Sequence, residues 1–68
     1  MVIEEKLTER ERTAARLIAF GLRNEDVARE LSVSLRTVES DRARLMHKLG
    51  ISRRSELVRW AIEHGLLR

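Results

Sequence analysis

The chain contains no cysteine, so neither a disulfide framework nor a thiolate metal site can hold it together. Its two histidines, His47 and His64, fall on separate segments with no third ligand beside them, and no metal or other cofactor is expected. Proline and tyrosine are absent, and phenylalanine and tryptophan occur once each, a poor stock for strands and their turns. No apolar run is long enough to span a bilayer, and the N-terminus lacks the apolar stretch and small-residue cleavage site of a secretory leader. The expected location is the cytoplasm, with no membrane partner. Enzyme chemistry has no foothold: no serine has His and Asp partners at a recognisable catalytic spacing, and no glycine-rich phosphate loop follows a strand.

What remains is 43% hydrophobic and 37% charged, too apolar for a disordered chain and too charged for a membrane segment. Sixty-eight residues allow one domain, at a size where a single core is marginal. The net charge of +3 is unevenly spread. Residues 1–31 carry six basic and seven acidic side chains, whereas residues 32–68 carry eight basic and four acidic. A positive second half favours a polyanion as partner.

The punctuation predicts an all-α, compact four-helix domain spanning residues 1–68. Gly21, Gly50 and Gly65 each follow a segment of helical periodicity and mark its end. Thr8 with Glu11 forms a capping-box pattern, and Asn24, Ser34 and Ser52 stand as N-caps before amphipathic runs. The expected helices are about 8–20, 25–31, 35–49 and 53–64. Helix 2 is too short to be stable alone, so its neighbours must hold it. In helix 3, Val38, Leu45 and Leu49 fall within roughly 40° of one another and form the inward seam. In helix 4, Leu57, Val58, Ala61 and Ile62 make a wide apolar arc.

The most informative stretch runs from Asn24 to Ala43: a short helix, the connector Ser32-Val33-Ser34 and a longer helix. This is helix-turn-helix spacing, with small Ala28 at the crossing and Val27, Leu31, Val33 and Val38 to lock the pair. Opposite the seam of helix 3 lie Arg36, Ser40, Ala43 and His47, flanked by Glu39 and Arg44, without one large apolar side chain. Small and hydrogen-bonding residues with cations at the edge suit a major groove about 12 Å wide. Six cations against two anions between Arg36 and Arg54 suit phosphates. Asp41, at about 300° from Val38, lies near the core side, with Arg10, Arg42 and Arg44 as candidate ion-pair partners.

Four blocks in order resemble a known family. Leu7-Thr8-Glu9-Arg10-Glu11 is similar to an opening L-T-x-R-E, and Gly21 to Leu31 to G-x-x-N-x-x-I-A-x-x-L. Ser34-Leu35-Arg36-Thr37-Val38 is similar to S-x-x-T-V, and Lys48-Leu49-Gly50-Ile51 with Arg54, Glu56 and Leu57 to a K-L-G-V and R-x-E-L ending. The chain thus resembles the LuxR/GerE-type helix-turn-helix domain, the output module of bacterial transcription regulators that include NarL/FixJ-group response regulators.

The resemblance implies sequence-specific binding of double-stranded DNA in transcription regulation, with helices 2 and 3 as the reading pair. Glu39, Ser40 and Ala43 would approach base edges, with Arg36 and His47 on the same face. Ser34, Thr37, Arg42 and Lys48 would sit near phosphates, joined by Arg44 on the flank. Helix 4 would supply a homodimer contact, for which Leu57, Trp60, Ala61 and His64 share one helical stripe. RNA polymerase is a further candidate partner. The chain departs from the family at Glu39, where lysine is common, at Asp41, where histidine is usual, and at Ala14-Ala15, where Val-Leu is usual. Two other readings fit the same helices: a sigma region 4-like promoter reader, and a helical protein-interaction module without DNA binding.

Overall fold

The computed structural model describes residues 7–67, and among them the chain forms four helices and no strand. They are α1 (Glu9–Ala19), α2 (Asn24–Leu31), α3 (Leu35–Leu49) and α4 (Arg54–Glu63). Helix α1 packs against each of the other three, and α2 packs on α3. None of these helices is long and apolar enough to cross a membrane.

The helix starts use their own side chains. Thr8 Oγ1 accepts from Glu11 N at 3.0 Å while Glu11 Oε1 accepts from Thr8 N at 3.0 Å, the reciprocal box expected from the sequence. Ser34 likewise accepts from Thr37 N at 3.1 Å and opens α3. Two expected caps are displaced by one residue. Helix α2 is capped at Arg23, whose N–H donates to Asp26 Oδ2 at 3.3 Å, which makes Asn24 the first helical residue. Helix α4 is capped at Arg53, because Glu56 Oε1 reaches back to both Ser52 N (2.9 Å) and Arg53 N (3.0 Å). In both cases an acidic residue in the first turn accepts from the cap's own N–H, the carboxylate half of a capping box.

All four helices end alike. One residue past α2 and α3, and two past α1 and α4, an N–H reaches three residues back into the last turn, and the next N–H reaches five back: Leu22 to Leu17, Val33 to Ala28, Ile51 to Met46 and Leu66 to Ala61. This geometry satisfies carbonyls otherwise left open, and each of those four apolar residues folds back on the core. The motif needs a left-handed residue. Gly50 supplies it after α3 at φ 69°, but after α2 the position is held by Ser32 at φ 56°. That explains how α2 ends without glycine.

The core is built on Ala14, Ala15 and Ile18 of α1, Val27 of α2, Val38 and Leu45 of α3, and Leu57, Trp60 and Ala61 of α4. Each fully buried Leu, Ile or Val contributes about 1.5–3 kcal/mol relative to exposure. Leu49, at the end of the expected seam, is only half-buried, and Met46 is buried in addition to it. The expected arc of α4 is narrower than its composition: Ile62 is 60% exposed and Val58 half-buried. With α1 as its main neighbour, α4 buries the one stripe that α1 can cover.

Candidate nucleic-acid interface

The connector Ser32-Val33-Ser34 sets how α3 leaves α2. Left-handed Ser32 reverses the chain, Val33 drops back onto the core, and Ser34 starts the next helix. The junction is tied again where Arg42 Nη1 donates to Asn24 Oδ1 at 3.1 Å, joining the middle of α3 to the first turn of α2. Displacement from the cap position leaves the Asn24 side chain available for this bond.

With Val38, Leu45 and Asp41 turned inward, α3 exposes Leu35, Arg36, Glu39, Ser40, Ala43, Arg44 and His47. All five residues expected on the base-reading side therefore share one open surface. Leu35, Arg36, Glu39, Ser40 and Ala43 line a single shallow depression. Leu35, 41% exposed, was not among the expected site residues; as the first residue of the helix, beside its cap, it escapes the wheel pattern that buries Val38. An apolar group there is suited to contact a thymine methyl.

The residues expected at phosphates behave differently from one another. The Ser34 and Thr37 hydroxyls lie 2.9 Å apart at the start of α3. Arg44 and Lys48 are engaged within the chain. Lys48 Nζ donates to Glu11 Oε1 at 2.7 Å, and Arg44 Nη1 lies 3.3 Å from Asp41 Oδ1 and 3.9 Å from Glu11 Oε2. Asp41 also meets Arg10, at 2.8 Å from Nε and 3.2 Å from Nη2. Of the three partners open to Asp41 in the sequence, Arg10 and Arg44 take it, while Arg42 turns to Asn24. Glu11 and Asp41, each 2% exposed, are thus two buried carboxylates ringed by three cations that keep part of their surface in solvent. Burial pushes the Glu11 carboxyl up, but the Lys48 hydrogen bond, the Thr8 N–H and the Lys48 and Arg44 charges outweigh it, and the group is held below its ordinary value. Glu56 is held low by the Ser52 and Arg53 N–H groups.

The stripe expected to meet a second subunit is turned inward. Leu57 and Ala61 are fully buried and Trp60 is 7% exposed, all within the core of the single chain. The i, i+3, i+4 spacing that marks an apolar stripe does not distinguish a core face from an interface, and here the core claims it. His64 is half-buried, with its ring stacked on Trp60 at 4.8 Å between centroids and Nδ1 2.8 Å from the Trp60 carbonyl. The outward side of α4 carries Ser55, Arg59, Ile62 and Glu63, with Val58 at its margin.

Comparison with known proteins agrees with this geometry. The chain is 44% identical over 59 residues to the response regulator Rre1 of Synechocystis sp., covering 87% of this chain and 26% of that protein. It is 41% identical over 61 residues to the oxygen regulatory protein NreC of Staphylococcus aureus, and 39% identical over 61 residues to the transcriptional regulatory protein MctR of Rhizobium johnstonii. Each of these two matches covers 90% of this chain and 28% of the relative. The chain thus spans about a quarter of the length of the curated relatives it matches. With residues 5–61 matching the family profile, the four-helix chain belongs to the GerE family, the bacterial regulatory proteins of the luxR family.

Proposed function

We propose that this chain is a sequence-specific reader of double-stranded DNA in transcription control, with α3 lying in the major groove. The observation that carries the reading is the split character of α3. Its inward side is fixed by Val38, Leu45 and paired Asp41, and its outward side presents Arg36, Glu39, Ser40, Ala43 and His47 with no large apolar side chain beyond Leu35. A rigid helix with short polar side chains at its centre can approach base edges closely. Family membership and two relatives named as regulatory proteins support the same conclusion.

In this reading Ser34, Thr37 and Arg42 contact the backbone at the start and side of α3, and Arg44 and Lys48 face phosphates while still anchored to their carboxylates. Two copies bind as a homodimer through the outward side of α4, with Ile62 and the marginal Val58 as its apolar contacts in place of the buried stripe. Work on DNA places the protein in the cytoplasm, and RNA polymerase is the partner such a regulator would engage.

Selection of a randomised duplex pool by the purified protein at two salt concentrations tests the proposal. The expected product is an inverted repeat with half-sites about 10 bp apart, which two recognition helices in successive grooves require. Enrichment of no sequence, with binding that vanishes as salt rises, would leave a helical protein-interaction module as the better reading.

A further inference from the structure

Arg10 had no part in the expected interface, because it stands on α1, outside the helix-turn-helix unit. The structure brings it to the flank of α3. Its guanidinium meets Asp41 edge-on, Nε at 2.8 Å from Oδ2 and Nη2 at 3.2 Å from Oδ1, and Arg44 Nη1 reaches the same Oδ1 at 3.3 Å. Two guanidinium groups from two helices therefore share one carboxylate oxygen. The Asp41 side chain is 3% exposed, whereas those of Arg10 and Arg44 are 50% and 55% exposed. The negative charge is buried and the positive charge faces out. Arg44 follows Ser40 by one helical turn, so this cationic edge borders the exposed face of α3.

We propose that Arg10 is a DNA-phosphate contact supplied by α1, and that Asp41 is the residue that positions it. The proposal rests on the reading that α3 enters the groove. The hydrogen bond to Asp41 uses one N–H of Nη2, with Nε held 2.8 Å from Oδ2 as an ion pair, which leaves Nη1 and the second Nη2 hydrogen to bond a phosphate oxygen. A guanidinium already fixed in place loses little conformational freedom on binding, which favours it over a free surface arginine. A phosphate beside the pair also restores local charge balance, since Arg10, Arg44 and Lys48 outnumber Asp41 and Glu11 by one.

The test starts from a duplex enriched by the wild-type chain, so that specific binding is in hand before any variant is made. Arg10→Ala is expected to lower affinity for that duplex roughly threefold to tenfold. The slope of log affinity against log salt should fall by about 0.9, with the enriched sequence unchanged. Arg10→Gln, which keeps the aliphatic stem, gives the same change, and Arg10→Lys retains the slope. Circular dichroism confirms that each variant is folded. A series of duplexes with single methylphosphonates then separates contact from support. One or two neutralised positions per half-site weaken wild-type binding but not that of Arg10→Ala, and in Asp41→Asn the same positions lose most of their effect although the Arg10 charge remains. The proposal is overturned if Arg10→Ala and Arg10→Gln keep the wild-type slope, or respond to every methylphosphonate as the wild type does. A wild-type chain that enriches no duplex overturns the DNA reading itself, and this inference with it.

Discussion

Lys48 Nζ donates to Glu11 Oε1 at 2.7 Å, and the same oxygen accepts from Thr8 N at 3.0 Å. One buried carboxylate thus caps α1 and fastens the last turn of α3 to it. The orientation of α3 is set by a residue of the first helix, 37 positions away in sequence.

Glu11→Gln should lower stability by about 1–2 kcal/mol, because Lys48 and Arg44 lose their partner but keep access to water. The acid side of the stability profile should change with it. The folded Glu11 carboxyl lies below its ordinary value of 4.5, so its contribution is fully present above about pH 4.5 and is lost as pH falls through the lower folded value. Urea melts of both proteins between pH 3 and 7 should show a shallower acid loss in the variant. An identical acid loss would remove Glu11 as its source.

Ser32 sits at φ 56° in a position where glycine carries no steric penalty. Ser32→Gly is expected to gain about 0.5 kcal/mol, the relieved strain exceeding the added freedom of the unfolded chain, and Ser32→Val to lose about 1 kcal/mol or more. Thermal melts give both values. A stabilised valine variant would contradict the strain assigned to this turn.

Leu57 and Ile62 lie on opposite sides of α4, one in the core and one facing solvent, where the proposed dimer contact lies. Leu57, fully buried, should cost about 2–4 kcal/mol when changed to Ala, enough to threaten a domain of this size. Ile62→Ala should stay within about 0.5 kcal/mol of the parent, since Ile62 is 60% exposed. Ile62→Asp should weaken cooperative occupation of an inverted repeat while binding to a single half-site is kept. Gel-shift titration on one and two half-sites distinguishes these effects, and unchanged cooperativity would move the dimer contact elsewhere.

Glu39 has no hydrogen bond or ion pair among the described residues, and stands exposed in the depression of α3 as an acceptor suited to a cytosine amino group. Glu39→Lys should raise the salt slope by about 0.9 and change the preferred base at one position per half-site. Pool selection with the variant reads both. The same enriched site from both proteins would take Glu39 out of base recognition.

The composition, the periodicity and the end signals carried the four helices, because capping and left-handed termination are local: Thr8 with Glu11, Ser34 with Thr37, and Gly50 act within a few residues of themselves. The exposed face of α3 was equally legible, since a helix whose seam is Val38 and Leu45 must turn Arg36, Ser40, Ala43 and His47 away from it. Which charges pair was not. Arg10, Arg42 and Arg44 are equivalent in sequence as partners for Asp41, and only the packing of α1 on α3 and of α2 on α3 assigns Arg10 and Arg44 to Asp41 and Arg42 to Asn24. The same holds for α4, where periodicity marks Leu57, Trp60 and Ala61 as an apolar stripe but only the placement of α1 makes it core. Sequence alone determined where the helices form and which faces are apolar; the tertiary structure decided what each face meets, because burial and long-range ion pairs depend on residues far apart in the chain.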